Sequence, residues 1–248
     1  MKIVWAKSPL GYLSLAVAAL LCVGSPALAA DDASTADMFD VAFGVAVTTD
    51  YISRGITQTD HQAAIQGYVE PSYGILYGGL WGSNVAFGGA KDLEVDAYVG
   101  IRPEFGKLSL DLGYNRAMYM NAPDDSSGEL YAKADFSLTD NVTLGAQYYI
   151  NPDDSATYVE ANADIVLPKG FGVSGAVGFA DDGATPYATW NAGIYYKPTD
   201  WAKFDVRYSA TDLAEADCAA VSGLTGNECD ARVMVGLSID SAVSSFAK

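Results

Sequence analysis

The sequence predicts an all-β protein, a transmembrane antiparallel up-and-down barrel of about twelve strands. Three observations carry that expectation. Apolar and polar residues alternate with period two, in pieces of about ten residues that follow one another along the chain. The connections between these pieces alternate in kind, short turns on one side and longer, acidic loops on the other. Beyond the leader, no apolar run reaches the roughly 18 residues that a membrane helix needs, while Tyr (16) and Gly (25) are abundant.

The chain opens with Lys2 and Lys7, an apolar run at 13–23 and a small-x-small site at Ala27-Leu28-Ala29. That order of parts reads as a secretory signal peptide over residues 1–29, leaving 30–248 as a single barrel domain. The run is too short to span a bilayer, and the large Leu21 before Cys22 argues against lipidation.

The first strand sets Phe39, Val41, Phe43, Val45 and Val47 against Asp40, Ala42, Gly44, Ala46 and Thr48. Pieces at 62–70 and 75–84 alternate less cleanly. The scheme then repeats at 93–101, 108–113, 130–136, 142–150, 158–167, 171–179, 187–196, 201–209 and 231–239. Short connections fall at 71–74, 102–107, 139–141, 168–170 and 197–200. Longer ones fall at 51–61, 86–92, 119–128, 151–157, 180–186 and 210–230. A soluble exported sandwich also alternates. The continuous apolar face of nearly every strand and the even strand count favour the membrane barrel. Aromatics near strand ends (Tyr51, Tyr114, Tyr119, Phe171, Trp201) read as interfacial girdles.

Composition excludes several classes. Lys plus Arg number 14 against 31 Asp plus Glu, a net charge of −17, so nucleic acid is a poor partner. One histidine, His61, rules out multi-histidine metal sites. No phosphate-binding glycine motif is present, and no cofactor is expected. Cys218 and Cys229, the pair left after the leader, read as a disulfide in an exported chain.

In a membrane barrel the apolar phase meets lipid and the polar phase lines the interior. That phase places Glu94, Asp96, Asp111, Asp135, Glu160 and Asp205 on the inner wall, with Lys133 and Arg207; Glu129 and Asp230 fall in it too. The acid excess predicts a lumen that prefers cations. The alternative is a plugged interior, with Lys133 paired to acids beside Asp135 and Arg207 to those beside Asp205. Glu94 and Asp96, two apart on one face, could also hold a divalent cation, a weak signal from two carboxylates.

The stretch Thr48-Thr49-Asp50-Tyr51-Ile52-Ser53-Arg54-Gly55-Ile56-Thr57-Gln58-Thr59-Asp60 resembles the SDYRFRGISQSD-type opening of the TorF family of porins, the proteobacterial Gcw_chp family. Gly79-Leu80-Trp81-Gly82-Ser83-Asn84-Val85 and Leu93-Glu94-Val95-Asp96-Ala97-Tyr98-Val99-Gly100 are similar to its next two motifs. The resemblance implies an outer-membrane barrel and porin activity with the solute unassigned. It supplies no functional residues, so Arg54 and Gly55 enter as motif positions. Ile52-Ser53 stands where the family has Arg-Phe. Physically, Gly55 can take a positive φ and turn the loop inward. Arg54 would then reach the lumen as a constriction charge, or else pair with an Asp of its own loop.

The function these readings predict is passive diffusion of small hydrophilic solutes through the outer membrane of a Gram-negative cell, without enzyme activity. Expected partners are outer-membrane lipid and the barrel-assembly machinery, which reads a terminal aromatic; here Phe246 stands third from the end. The chain would act as a monomer or a trimer. Two other classes compete. An adhesin or structural barrel would bind through loop 210–230 and its disulfide. An outer-membrane hydrolase would need His61 as base, with Ser83 as a distant nucleophile.

Overall fold

The computed structural model describes residues 39–181, 183, 185–224 and 226–246. The expected signal peptide at 1–29, with Cys22, and the last two residues lie outside the described residues.

Alternation of this kind gives each strand one apolar and one polar face, and closing the sheet gives each face its own solvent. Twelve long strands form: β1 (Phe39–Thr48), β2 (Ala64–Tyr73), β3 (Leu76–Phe87), β4 (Ala90–Ile101), β5 (Leu108–Tyr119) and β6 (Ser127–Thr139), then β7 (Val142–Ile150), β8 (Thr157–Val166), β9 (Phe171–Asp181), β10 (Tyr187–Thr199), β11 (Ala202–Thr211) and β12 (Arg232–Ala242). Each pairs antiparallel with its sequence neighbours. β1 then pairs with β12, from Ala42 opposite Ala242 to Thr48 opposite Gly236. The sheet is a closed antiparallel barrel, and closure leaves no strand edge unpaired in lipid.

The exterior is apolar. Ile65, Val99, Val177, Ile194 and Val233 are all exposed, with no protein to cover them. Exposed aromatics band both ends: Phe39, Tyr73, Phe105, Phe171 and Trp201 at the short-turn end, and Tyr148, Phe179, Trp190 and Tyr208 toward the long-loop end. Such belts sit at the two lipid–water interfaces.

Three sequence expectations need correction. The connection at 86–92 is not a long loop. β3 runs to Phe87 and β4 starts at Ala90, joined by Gly88-Gly89 with φ of 57° and 83°. Two positive-φ residues make the tight hairpin that matches strand twist, and only glycine takes them without strain. Second, Tyr51 and Tyr119 are not girdle residues; both are buried inside, at 5% and 7% exposure. Third, Asp230 is not on the wall: it lies before β12 and is exposed.

Candidate functional site

The inner wall is built by the second phase of each strand. Along β4 it presents Glu94, Asp96 and Tyr98; along β6, Glu129, Tyr131, Lys133 and Asp135. Tyrosines recur in this phase, at Tyr77, Tyr131, Tyr149, Tyr158 and Tyr195, and all are buried. They lie against the wall: a Cβ added at Gly100 or Gly113 would strike the Tyr77 or Tyr131 ring. The sequence reading missed this lining, although the phase that located the acids also contains the tyrosines.

The predicted wall residues fall into separate groups. Arg207 bonds Asp205 at 3.0 and 3.2 Å, Asn191 at 2.6 Å and Ser174 at 2.7 Å, crossing three strands. Glu160 accepts from Gln147 at 3.0 Å and from the Tyr158 hydroxyl at 2.8 Å. Lys133 lies over the Tyr131 ring, 4.9 Å from its centroid. Asp135 stands beside Gly145 of β7. Toward the short-turn end, Asp111 accepts from the Tyr77 hydroxyl and, at 3.3 Å, from Arg102. Arg102 forks onto Glu70 at 2.5 and 3.1 Å and covers the Tyr77 ring at 3.7 Å. The side chain of Arg102 is still 46% exposed.

At the long-loop end the connection after β1 folds into the barrel. Ile52–Ser53 and Ile56–Thr57 pair as a miniature hairpin around Arg54-Gly55. Arg54 has φ 47° and Gly55 φ 81°. A Cβ at Gly55 would also overlap the Thr211 methyl, so glycine is required there for space as well as for conformation. Residues Ile56 to Thr59 are almost fully buried.

Four attachments hold this hairpin. The Ala86 amide donates to the Gln58 carbonyl at 2.8 Å, and the Thr57 amide to the Glu228 carbonyl at 2.9 Å. Asp50 accepts from the hydroxyls of Thr57 and Thr59 and, at 3.0 Å, from Arg232 of β12. Arg54 reaches across the mouth to Glu129 of β6 at 2.8 Å, with side-chain exposures of only 7% and 3%. Its guanidinium also lies over the rings of Tyr149 and Tyr158, at 5.2 and 4.8 Å. Burial opposes the charge on Arg54, and Glu129 outweighs burial, so the guanidinium pKa is raised. Arg54 thus pairs with the barrel wall and not with an Asp of its own loop.

The longest connection covers the hairpin from outside. It carries the helix α1 (Glu215–Ser222) and the disulfide Cys218–Cys229, with Cα atoms 5.9 Å apart. Cys218, Cys229 and Val221 pack with Ile56, Tyr131, Tyr149 and Tyr158 in one buried cluster. Nothing in the spacing of the sequence indicated that loop 51–61 and loop 210–230 would meet.

The hydrolase pair considered from the sequence is not brought together. The Ser83 hydroxyl donates to the Asn84 carbonyl at 3.0 Å, and His61 instead faces Asp50 at 3.7 Å. Among the described residues no group of three or more His, Cys, Asp or Glu side chains converges.

A family model described as "Bacterial protein of unknown function (Gcw_chp)" matches residues 32–238. No curated protein matches the chain. Among solved structures, the KdgM porin in complex with disordered oligogalacturonate is similar at TM-score 0.54 and 11% identity, over 81% of this chain and 98% of that one. A second KdgM porin structure gives 0.53 at 12% identity, with the same coverage of 81% and 98%. The NanC porin gives 0.50 at 11% identity, over 82% and 98%. At such identities the likeness concerns the fold.

Proposed function

The chain belongs to the Gcw_chp family, and from that premise we propose that it is an outer-membrane channel for passive diffusion of small hydrophilic solutes, with a preference for cations. The observation that carries this reading is the inner wall. Carboxylates from β2, β4, β5, β6, β8 and β11 outnumber the basic groups facing them, and several of those bases are already committed to an acid or to a tyrosine ring. A water-filled passage with such a wall concentrates cations. The fold of the KdgM and NanC porins supports a conducting barrel. The ligand named with KdgM, oligogalacturonate, is a polyanion, and the acidic wall here argues for a different solute. The long loops would face outward, residues 1–29 would direct export, and the barrel-assembly machinery would insert the chain.

The test is conductance of the purified, folded protein in a planar bilayer under a salt gradient. Discrete steps with a cation-favouring reversal potential are expected. An anion-favouring potential would reverse the selectivity claim. Silence from a folded barrel would favour a second reading, which the buried hairpin at 50–59 and its disulfide cover support: a barrel stopped at its long-loop end that presents loop 210–230 as a binding surface.

A further inference from the structure

Three of the buried carboxylates in this barrel have cationic partners. Glu129 has Arg54, Asp50 has Arg232 and Asp205 has Arg207. Glu160 has neutral donors on both oxygens instead, Gln147 and Tyr158, whereas Glu94 and Asp96 have no cation and each keeps an oxygen without a partner. Both are fully buried on the inner face of β4, and among the described residues no Lys, Arg or His comes within ion-pair distance of either. The nearby cation, Arg54, is taken by Glu129. A buried carboxylate without a counter-charge is costly unless something neutralises it.

The neighbouring strand supplies a second kind of unsatisfied group. Asn115 of β5, 5% exposed, donates its amide to Asp96 Oδ2 at 2.8 Å. That bond fixes the amide beside the carboxylate, yet Asn115 Oδ1 has no partner. Neither has Asp96 Oδ1 nor Glu94 Oε2. Tyr119 donates to the other Glu94 oxygen at 3.4 Å. The Tyr51 hydroxyl, held by the inward hairpin, lies close to both acids without completing a hydrogen bond. The result is a patch of three orphaned acceptor oxygens, two carboxylate and one amide carbonyl, beside the unpaired Tyr51 hydroxyl.

We propose that Glu94, Asp96 and Asn115 form a binding site for a hard divalent cation of the calcium class, at the junction of β4, β5 and the inward hairpin. The chemistry is that of calcium sites: carboxylate oxygens plus a neutral amide carbonyl, in an irregular arrangement. Magnesium, which demands near-octahedral geometry and keeps its waters, suits the set less well. The cation would neutralise the pair and brace the wall against the hairpin that carries Tyr51. The inference stands on these side chains alone and does not need the barrel to conduct.

Terbium, a luminescent stand-in for calcium, tests it without any transport measurement. Trp81 stands directly across from Asp96 in the β3–β4 register, and its ring lies 5.5 Å from that of Tyr51. In the folded, chelator-treated protein in detergent, excitation selective for tryptophan should give terbium emission that calcium displaces. Glu94→Gln and Asp96→Asn should each weaken terbium affinity by about tenfold or more, since affinity follows the number of ligating charges. Asn115→Ala, which keeps both acids, should weaken it as well, while Asp153→Asn in an acidic loop leaves it unchanged. Folding of each variant is checked by its heat-modifiable migration on a gel. No sensitised emission from the folded parent, or emission indifferent to all three wall substitutions, overturns the site.

Discussion

The two ends of the barrel use the same ion-pair chemistry in opposite surroundings. At the long-loop end Arg54 and Glu129 meet at 2.8 Å with side-chain exposures of 7% and 3%. At the short-turn end Arg102 and Glu70 meet at 2.5 Å, but the arginine is 46% exposed. Both arginines also cover tyrosine rings. Hydration makes the difference. A dry pair is held in place because losing one partner strands a buried charge. A wet pair contributes little to stability and leaves its charge available to whatever occupies the water beside it. Charge at the long-loop end therefore fixes structure, whereas charge at the short-turn end is free to act on a solute.

Substitutions can break that contrast or sharpen it. The largest effect is expected from Arg54→Ala, which leaves Glu129 buried and unpaired and should cost about 3–5 kcal/mol in urea unfolding of the lipid-reconstituted barrel. A cost below about 1 kcal/mol would mean that the mouth is wetter than its geometry implies. Replacing Cys218 and Cys229 together by serine should cost about 3 kcal/mol, from the entropy of the short loop they close. It should also loosen the cover over Ile56, read as faster proteolysis within 210–230. Gly55→Val places a branched side chain at a positive φ and against Thr211, a backbone cost of about 1–3 kcal/mol. Expulsion of the hairpin should then raise single-channel conductance. The smallest effect on stability, under about 1 kcal/mol, belongs to Arg102→Ala. Its signature is a shift of the reversal potential further toward cations, and one that added salt diminishes.

The barrel was legible in the sequence because its driving pattern is local. β7 could be read to its bounds, Val142 to Ile150, because alternation begins and ends with the strand. Where the pattern weakened, the reading weakened too. The Gly88-Gly89 dipeptide was a hairpin signal of the usual kind, and the charged residues Lys91 and Asp92 masked it. Tyr51 and Tyr119 looked like girdle residues because they lie near strand ends; following the phase of Asp111 along β5 would have put Tyr119 inside. The mouth was not legible. Arg54 and Glu129 are 75 positions apart, and Ile56 meets Cys218 only because two loops fold over the same opening. Such contacts depend on the direction in which a loop leaves its strand, and periodicity does not encode that direction. The motif residues Asp50, Arg54, Gly55, Thr57 and Thr59 have a physical account: they shape the hairpin and attach it to the wall.

Ring closure makes the strand order circular. β12 lies beside β1, and Ser244 binds the Asp40 carboxylate through its backbone amide at 3.0 Å and its hydroxyl at 2.6 Å. A short linker could join these neighbours, and the chain could be reopened at the exposed turn Pro123–Asp125. Such a circular permutant would keep every strand beside its present partners, with β6 as the new first strand and β5 as the new last. Architecturally, β1 holds its place as first strand only by the accident of where the chain is cut.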